Sequence, residues 1–287
     1  MTLPFEPHRP RLIGLAYRML GSLAEAEDVV QDAFLRVRDV AEDEVADPRA
    51  YLTKTVARLC LDRLKSARAR REVYVGTWLP EPLVENPSAS PDAELDLADD
   101  LSFALLLTLE RLSPPERTAF LLHDVFGLEF ASIASVLERS EASCRKLAER
   151  ARSQVREARP RFETTRSDEQ QLLAAFLQAT STGDVAALQE LLTADAVVYS
   201  DGGGKRHAAL NPVFGPDRIG RFFAGVIRKS HFVAPSAIEP RRVNGLPGCL
   251  LRYDNGDVAV AAVELRDGRV ARIYIISNPD KLQHLRS

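Results

Sequence analysis

Arg145 and Lys146, followed by Arg150, Arg152 and Arg156, share one segment with Cys144, Leu147, Ala151 and Val155. Those apolar residues recur at three or four positions and must face a core, so Glu141, Arg145, Lys146, Glu149 and Arg152 project outward from one helix. A short apolar helix carrying Phe130, Ile133, Ala134 and Leu137 precedes it, and Ser140 stands where the second helix needs a cap. Two helices joined by three residues make a helix-turn-helix pattern. Its second helix reads base edges in the major groove with its first side chains and holds phosphates with its later cations. Arginine suits the first task because its planar fork can grip a guanine bidentately. The same spacing also fits a solvated basic helix of an ordinary bundle.

A second basic run lies at Arg58, Arg63, Lys65, Arg68, Arg70 and Arg71, interrupted only by Asp62. Such a cluster suits a nucleic-acid backbone, and suits equally a helix end dressed in soluble charge. Between the two basic helices, Glu27, Asp28, Gln31 and Asp32 form an acidic stripe on a helix whose other face is Val29, Val30, Ala33, Phe34 and Val37. A stripe of that sign repels DNA and favours a basic protein partner.

The elements that must position these side chains follow from capping and periodicity. Ser22 with Glu25 signals a helix start, Asp47-Pro48 another, and Leu52, Val56, Leu59 and Cys60 give the latter its inward face. Leu101 to Leu112 is expected to be a helix ended by Ser113-Pro114-Pro115, and Glu116 to Val125 a second that stops at Gly127. The stretch Pro80 to Pro91 has a linker's composition, and Glu81 to Asp100 carries seven carboxylates with no Lys or Arg. Beyond about Thr165 two helices (Glu169 to Ala179, Asp184 to Leu192) give way to strands at Ala196 to Ser200, Gly248 to Tyr253, Val258 to Leu265 and Val270 to Ser277. A helix from Pro216 to Ile227 interrupts them, and Asn255-Gly256 and Asp267-Gly268 are hairpin signals. The chain therefore reads as multidomain: two all-α helical domains, the second with the helix-turn-helix, plus a C-terminal α+β domain with helices on one curved antiparallel sheet.

Composition agrees with a globular chain. It has 287 residues, 45% of them hydrophobic and 28% charged, with a net charge of −3. The longest apolar run, Leu101 to Leu109, is far below the roughly 20 residues needed to cross a bilayer, and the N-terminus has no export signal, so the expected location is cytoplasmic, away from membranes. Cys60, Cys144 and Cys249 are too scattered for a disulfide framework or a structural zinc and are expected to be core thiols. Asp201, His207, His231, Asp254 and Glu264 are the acids and bases a C-terminal enzyme would use, yet no metal-ligand spacing, paired acids or nucleophile elbow accompanies them. No catalytic residue, metal or cofactor is assigned.

Taken in order, Glu27-Asp28-Val29-Val30-Gln31-Asp32-Ala33-Phe34, then Ala57 to Leu64, then Leu112-Ser113-Pro114-Pro115-Glu116-Arg117 and the helix-turn-helix resemble regions two and four of a bacterial RNA polymerase sigma factor of the extracytoplasmic-function group. The resemblance implies promoter-specific initiation. It implies that Glu27, Asp28, Gln31 and Asp32 dock on the clamp helices of the core polymerase β′ subunit and that the Arg58 helix, with Arg63 and Lys65, engages the minus-ten element. It further implies that Arg145 and Lys146, with Ser140, Ser143, Arg150 and Arg152, bind the minus-thirty-five element. Glu138 departs from the pattern, standing in a turn slot where the motif often has glycine.

The resemblance extends to a subgroup with a fused C-terminal extension. Trp78-Leu79-Pro80-Glu81-Pro82, Asp201-Gly202-Gly203-Gly204-Lys205 and Asn278-Pro279-Asp280-Lys281-Leu282 are similar to that subgroup's three hallmark motifs. It implies a region-two domain over 1–75, a linker over 76–100, a region-four domain over 101–162 and a SnoaL-like cone over 168–287. It also implies self-regulation by the extension, of either sign, with a small-molecule ligand of the cone as a further partner. Two other readings use the same residues: a helix-turn-helix regulator without polymerase contact, and a small-molecule isomerase or cyclase fused to a DNA-targeting module.

Overall fold

The computed structural model describes residues 3–72, 74–85, 102–158, 166–229 and 233–286. They form two compact units, one of 3–72 with 102–158 and one of 74–85 with 166–286.

In the first unit α1 (Arg9–Leu20) buries Leu12, Leu15, Ala16, Met19 and Leu20 and ends at Gly21, whose φ of 72° makes the left-handed cap that glycine takes without strain. Ser22 then starts α2 (Leu23–Val37), its side chain accepting the Glu25 N–H at 3.2 Å. Asp47 caps α3 (Pro48–Glu72) through the Ala50 N–H at 2.9 Å. Further along, α4 (Phe103–Arg111) is capped by Ser102, and α5 (Pro114–Phe120) opens on a capping box between Ser113 and Glu116.

The expected helix from Glu116 to Val125 is corrected in two ways: it starts earlier, with Pro114 and Pro115 in its first turn where their missing N–H costs nothing, and its second half is π-helical over Leu121–Val125. The wide turn closes when the Phe126 N–H reaches the Leu121 carbonyl five residues back at 2.9 Å. The pair α6 (Phe130–Leu137) and α7 (Glu141–Ala158) forms the helix-turn-helix. Cys144, Ala151 and Val155 face the core as expected, but Ala148 is the fully buried partner where Leu147 had been expected and Leu147 is half-buried. A methyl side chain there lets α7 approach its neighbours closely.

In the second unit α8 (Arg166–Thr182), α9 (Val185–Leu191) and α10 (Pro216–Ile227) lie on one face of a six-stranded sheet. The strands are β1 (Leu192–Asp201), β2 (Val213–Phe214), β3 (Ala237–Val243), β4 (Leu246–Arg252), β5 (Val258–Arg266) and β6 (Arg269–Ile276), in the order β2-β1-β6-β5-β4-β3. The sheet is mixed, not antiparallel as expected: β1 runs parallel to β6, since the chain leaves β1 for α10 and returns through the β3–β6 meander. Phe176, Leu188, Val198, Ile219, Val263 and Ile273 make the core between helices and sheet. Strands β2 and β3 escaped the sequence pattern, β2 through its brevity and β3 because Pro240 demotes a run that the structure tolerates at the sheet edge. All three cysteines are buried and free.

Glu138 takes φ 53° and ψ 46°, a left-handed conformation that a residue with a Cβ adopts at a cost of about 1 kcal/mol. Glu138→Gly removes that cost while adding freedom to the unfolded chain, so a net gain of roughly 0.5 kcal/mol is expected in urea unfolding of the full chain.

Candidate functional site: charged helix faces and a buried carboxylate clasp

The acidic stripe stands as expected, with Glu27, Asp28, Gln31 and Asp32 exposed on α2 and Val29, Val30, Ala33 and Val37 buried behind them. It is not isolated from the basic helix. Arg63 on α3 donates to Asp32 at 3.1 Å and lies 3.5 Å from Asp28, and Lys65 pairs with Asp62 at 3.0 Å. Arg58, exposed on the same helix, donates to the Ser135 carbonyl of α6 at 2.9 Å. On α7, Ser140 caps the helix by accepting the Ser143 N–H at 3.3 Å, which uses one serine's side chain and the other's backbone for structure. Arg145 pairs with Glu141 at 2.7 Å over the Phe130 ring, and Arg152 with Asp124 at 2.7 Å. Lys146 and Arg150 are exposed and have no ion-pair partner among the described residues. Exposed pairs of this kind are worth only about 0–1 kcal/mol and exchange readily for a phosphate or a base edge.

Arg117 behaves differently. It is 3% exposed, pairs with Glu110 at 3.0 Å and donates to the Met19 carbonyl in the last turn of α1, a group no helical N–H can reach. The Leu112 to Arg117 motif is thus structural in this unit: it caps α5 and closes α1.

The three short motifs of the second unit meet at one carboxylate. Asp201, the last residue of β1, has a side chain with 0% exposure and receives four donors. Oδ1 accepts from the Tyr74 hydroxyl at 2.5 Å and the Gly203 N–H at 3.0 Å; Oδ2 accepts from the Leu79 N–H at 2.9 Å and Lys281 Nζ at 2.7 Å. Its carbonyl takes the Ser277 and Asn278 N–H groups at 2.8 and 3.1 Å. Lys281 also donates to the Leu79 carbonyl, and its ammonium lies 4.4 Å from the centre of the Trp78 ring and 5.1 Å from that of Tyr74. Asn278 donates to the Tyr74 oxygen at 2.8 Å and accepts the Asp280 N–H at 3.1 Å.

Gly203, at φ 60°, is required by shape as well as conformation, because a Cβ there would sit 2.4 Å from the Asn278 amide carbon. At Gly202 a Cβ would fall 2.3 Å from the Arg206 carbonyl oxygen. Gly204 packs beside Val75. Pro80, Glu81 and Pro82 are buried, Glu81 lies 3.3 Å from His284, Lys205 pairs with Asp280 at 2.6 Å, Pro279 opens the turn Pro279–Lys281, and Leu282 is fully buried. Val84 then pairs with Val243 at the free edge of β3, flanked by Leu83 N–H to Asn244 Oδ1 at 3.0 Å and Glu85 N–H to the Arg242 carbonyl at 3.0 Å. Tyr74, Asn244 and His284 are members of the clasp that the sequence reading missed. For Asn244 the signal existed: Asn244-Gly245, with φ 49° and 73°, is a hairpin dipeptide.

The acids and bases considered for catalysis do not converge. Asp201 is saturated with donors, and Glu264 is buried against Arg272 and the Tyr274 hydroxyl, the latter at 3.0 Å. His207 and Asp254 are exposed, and His231 lies outside the described residues. Among the described residues there is no group of three potential metal ligands and no helix long and apolar enough to cross a membrane.

Comparison with known proteins decides the family. Residues 5–70 match the Sigma-70 region 2 model and residues 102–155 the Sigma-70, region 4 model. Over 288 residues the chain is 40% identical to the ECF RNA polymerase sigma factor SigJ of Mycobacterium tuberculosis, covering 96% of this chain and 91% of that one. The chain belongs to the ECF RNA polymerase sigma factors. It is also 33% identical to the probable ECF RNA polymerase sigma factor SigI of the same organism over 290 residues, covering 100% of this chain and 96% of the relative. The crystal structure of M. tuberculosis SigJ superposes with a TM-score of 0.76 at 37% identity over 97% of each chain, so the α+β extension is shared along with both helical regions. Sigma factors bind core RNA polymerase and promoter DNA and are initiation subunits, not enzymes.

Two outcomes test the clasp. Lys281→Met leaves Asp201 buried without its cation and should destabilise the second unit by about 3–5 kcal/mol in denaturant unfolding, whereas an exposed pair such as Lys205 and Asp280 should cost under about 1 kcal/mol when broken. Burial, and then the neighbouring Asp201 carboxylate, push the Tyr74 hydroxyl well above the ordinary tyrosine value of 10.0. A group raised in the folded state contributes stability that is fully present below its unfolded pKa and is lost as pH rises through the folded one. Stability should therefore fall as pH climbs past about 10, and Tyr74→Phe should flatten that fall in a pH series of thermal melts.

Proposed function

We propose that this sigma factor divides its contacts among the residues described above and uses the clasp to tune them. Glu27, Asp28, Gln31 and Asp32 take the β′ clamp helices of core polymerase. Arg58, Arg63 and Lys65 serve the minus-ten element. Arg145 and Lys146 read bases of the minus-thirty-five element, with Ser140, Ser143, Arg150 and Arg152 on its backbone. The weakness of the exposed pairs at Arg63 and Arg145 supports this division, because each can be traded for an intermolecular partner at small cost. The domains follow the same reading: region two over 1–75, a linker over 76–100, region four over 101–162 and the SnoaL-like extension over 168–287. The protein works in the cytoplasm, where its polymerase is.

The observation that carries regulation is that residues 74–85, the last two of the region-two span and the first ten of the linker, pack into the C-terminal unit around Asp201. While the clasp is closed those residues are withdrawn from the tether between the two promoter-binding regions. The extension thereby modulates initiation without a separate inhibitor protein.

Asp28→Arg with Asp32→Arg should abolish co-purification with core polymerase while leaving the thermal melt of the chain intact; retained association would overturn the docking role. Arg145→Ala or Lys146→Ala should cost about 1–3 kcal/mol and relax preference at one promoter position, whereas Arg152→Ala should weaken binding uniformly. In promoter-dependent transcription with core polymerase, Asp201→Ala should change the initiation level relative to the parent chain. Unchanged initiation would sink the regulatory reading and leave the sigma activity standing.

A further inference from the structure

The first unit contains a cavity of about 370 Å³ between α1 and the region-four helices, a size that suits a small organic molecule. Its lining is divided. Leu105, Phe120, Val125 and Val155 make an apolar half, and Arg18, Arg152, Arg156 and Asp124 make a polar one. Three arginines therefore line the space with a single acid among them, and the carboxylate of that acid is already engaged by Arg152 at 2.7 Å. Arg156 is exposed at the rim and has no ion-pair partner among the described residues, while Arg18 is 7% exposed at the inner wall.

The π-helical turn Leu121–Val125 contributes directly. It supplies two consecutive lining residues, Asp124 and Val125. An irregularity of this kind costs helix stability and is found disproportionately where a helix serves a ligand.

We infer that this cavity binds an organic anion: a single carboxylate, sulfonate or phosphate monoester head facing Arg152 and Arg156, carried on an apolar body that fills the Leu105, Phe120 and Val125 side. The apolar half separates such a ligand from a phosphate of promoter DNA or an inorganic anion, either of which meets the arginines and leaves that half unfilled. Because Arg18 comes from α1 and the other lining residues from α4, α5 with its π-turn, and α7, the site is complete only while region two packs on region four. An occupant stabilises that packed arrangement by mass action and is released when the two regions part. The ligand is thus a signal input independent of the clasp.

The test uses the full chain without polymerase or DNA, so its outcome does not depend on the promoter assignments. Anilinonaphthalene sulfonate is titrated by fluorescence, with the uncharged N-phenylnaphthylamine and sodium sulfate as comparison probes. Saturable binding of the sulfonate is expected, weakened about tenfold by Arg156→Ala through loss of a charged hydrogen-bond donor, and at least as much by Val125→Trp, which fills the space. Val125 is 39% exposed, so the larger ring has room to be accommodated without unfolding the helix. The proposal is overturned if both variants bind the sulfonate as the parent does, if the uncharged dye binds equally well, or if sulfate displaces the probe as effectively as naphthalene sulfonate does.

Discussion

A carboxylate removed from water must be met by hydrogen-bond donors and a cation from the protein, and that constraint at Asp201 organises the second unit. Four donors reach its two oxygens from three separate parts of the chain: Tyr74 and Leu79 before region four, Gly203 beside it, and Lys281 near the C-terminus. None of those segments can leave without stranding a buried charge, which costs several kcal/mol. The segments are therefore ordered together, and the clasp behaves as one cooperative element. The parallel pairing of β1 with β6 makes this possible. It brings Asp201 opposite Ile276, so the chain leaving β6 passes directly over the carboxylate and places Lys281 on it.

The same accounting separates the arginines of the first unit into two kinds. Arg117 is enclosed, paired with Glu110 and spent on a carbonyl of α1, so its removal would orphan buried groups in two helices. Arg63 and Arg145 are held by pairs on the surface, where water and salt screen most of the attraction. Structural cations lie inside and exchangeable ones outside. That division leaves the surface cations and carboxylates in pairs that can open, while the enclosed pair cannot.

Much of this was legible in the residues. The helix-turn-helix, its Ser140 cap, the outward cations, the helix from Pro216 to Ile227 and two of the hairpins follow from period and turn chemistry, which are local. Even the strained slot at Glu138 was visible as a departure from glycine. What stayed hidden was non-local. Nothing near Asp201 announces that Tyr74 will be its ligand, because that contact spans 127 residues. The parallel β1–β6 pairing depends on the whole meander, and the π-turn ends at Phe126, which meets Arg11 across 115 residues with the guanidinium 4.9 Å from its ring. Asn244 shows the opposite case: its hairpin dipeptide Asn244-Gly245 is a local signal that the sequence reading passed over.

Placing the clasp on the linker has a consequence for how its state could be read. Two DNA-binding regions on one chain engage their sites with an effective concentration set by the free length between them, highest when that length matches the span and falling on either side. Residues 74–85 are twelve in number, and holding them on the β3 edge and around Asp201 removes them from that length. No contact between the extension and DNA is required for this, and no change in the fold of either helical region. On the regulatory reading proposed above, the sign of the effect is set by the promoter as much as by the protein: assistance where the shortened tether fits the spacing, inhibition where it falls short.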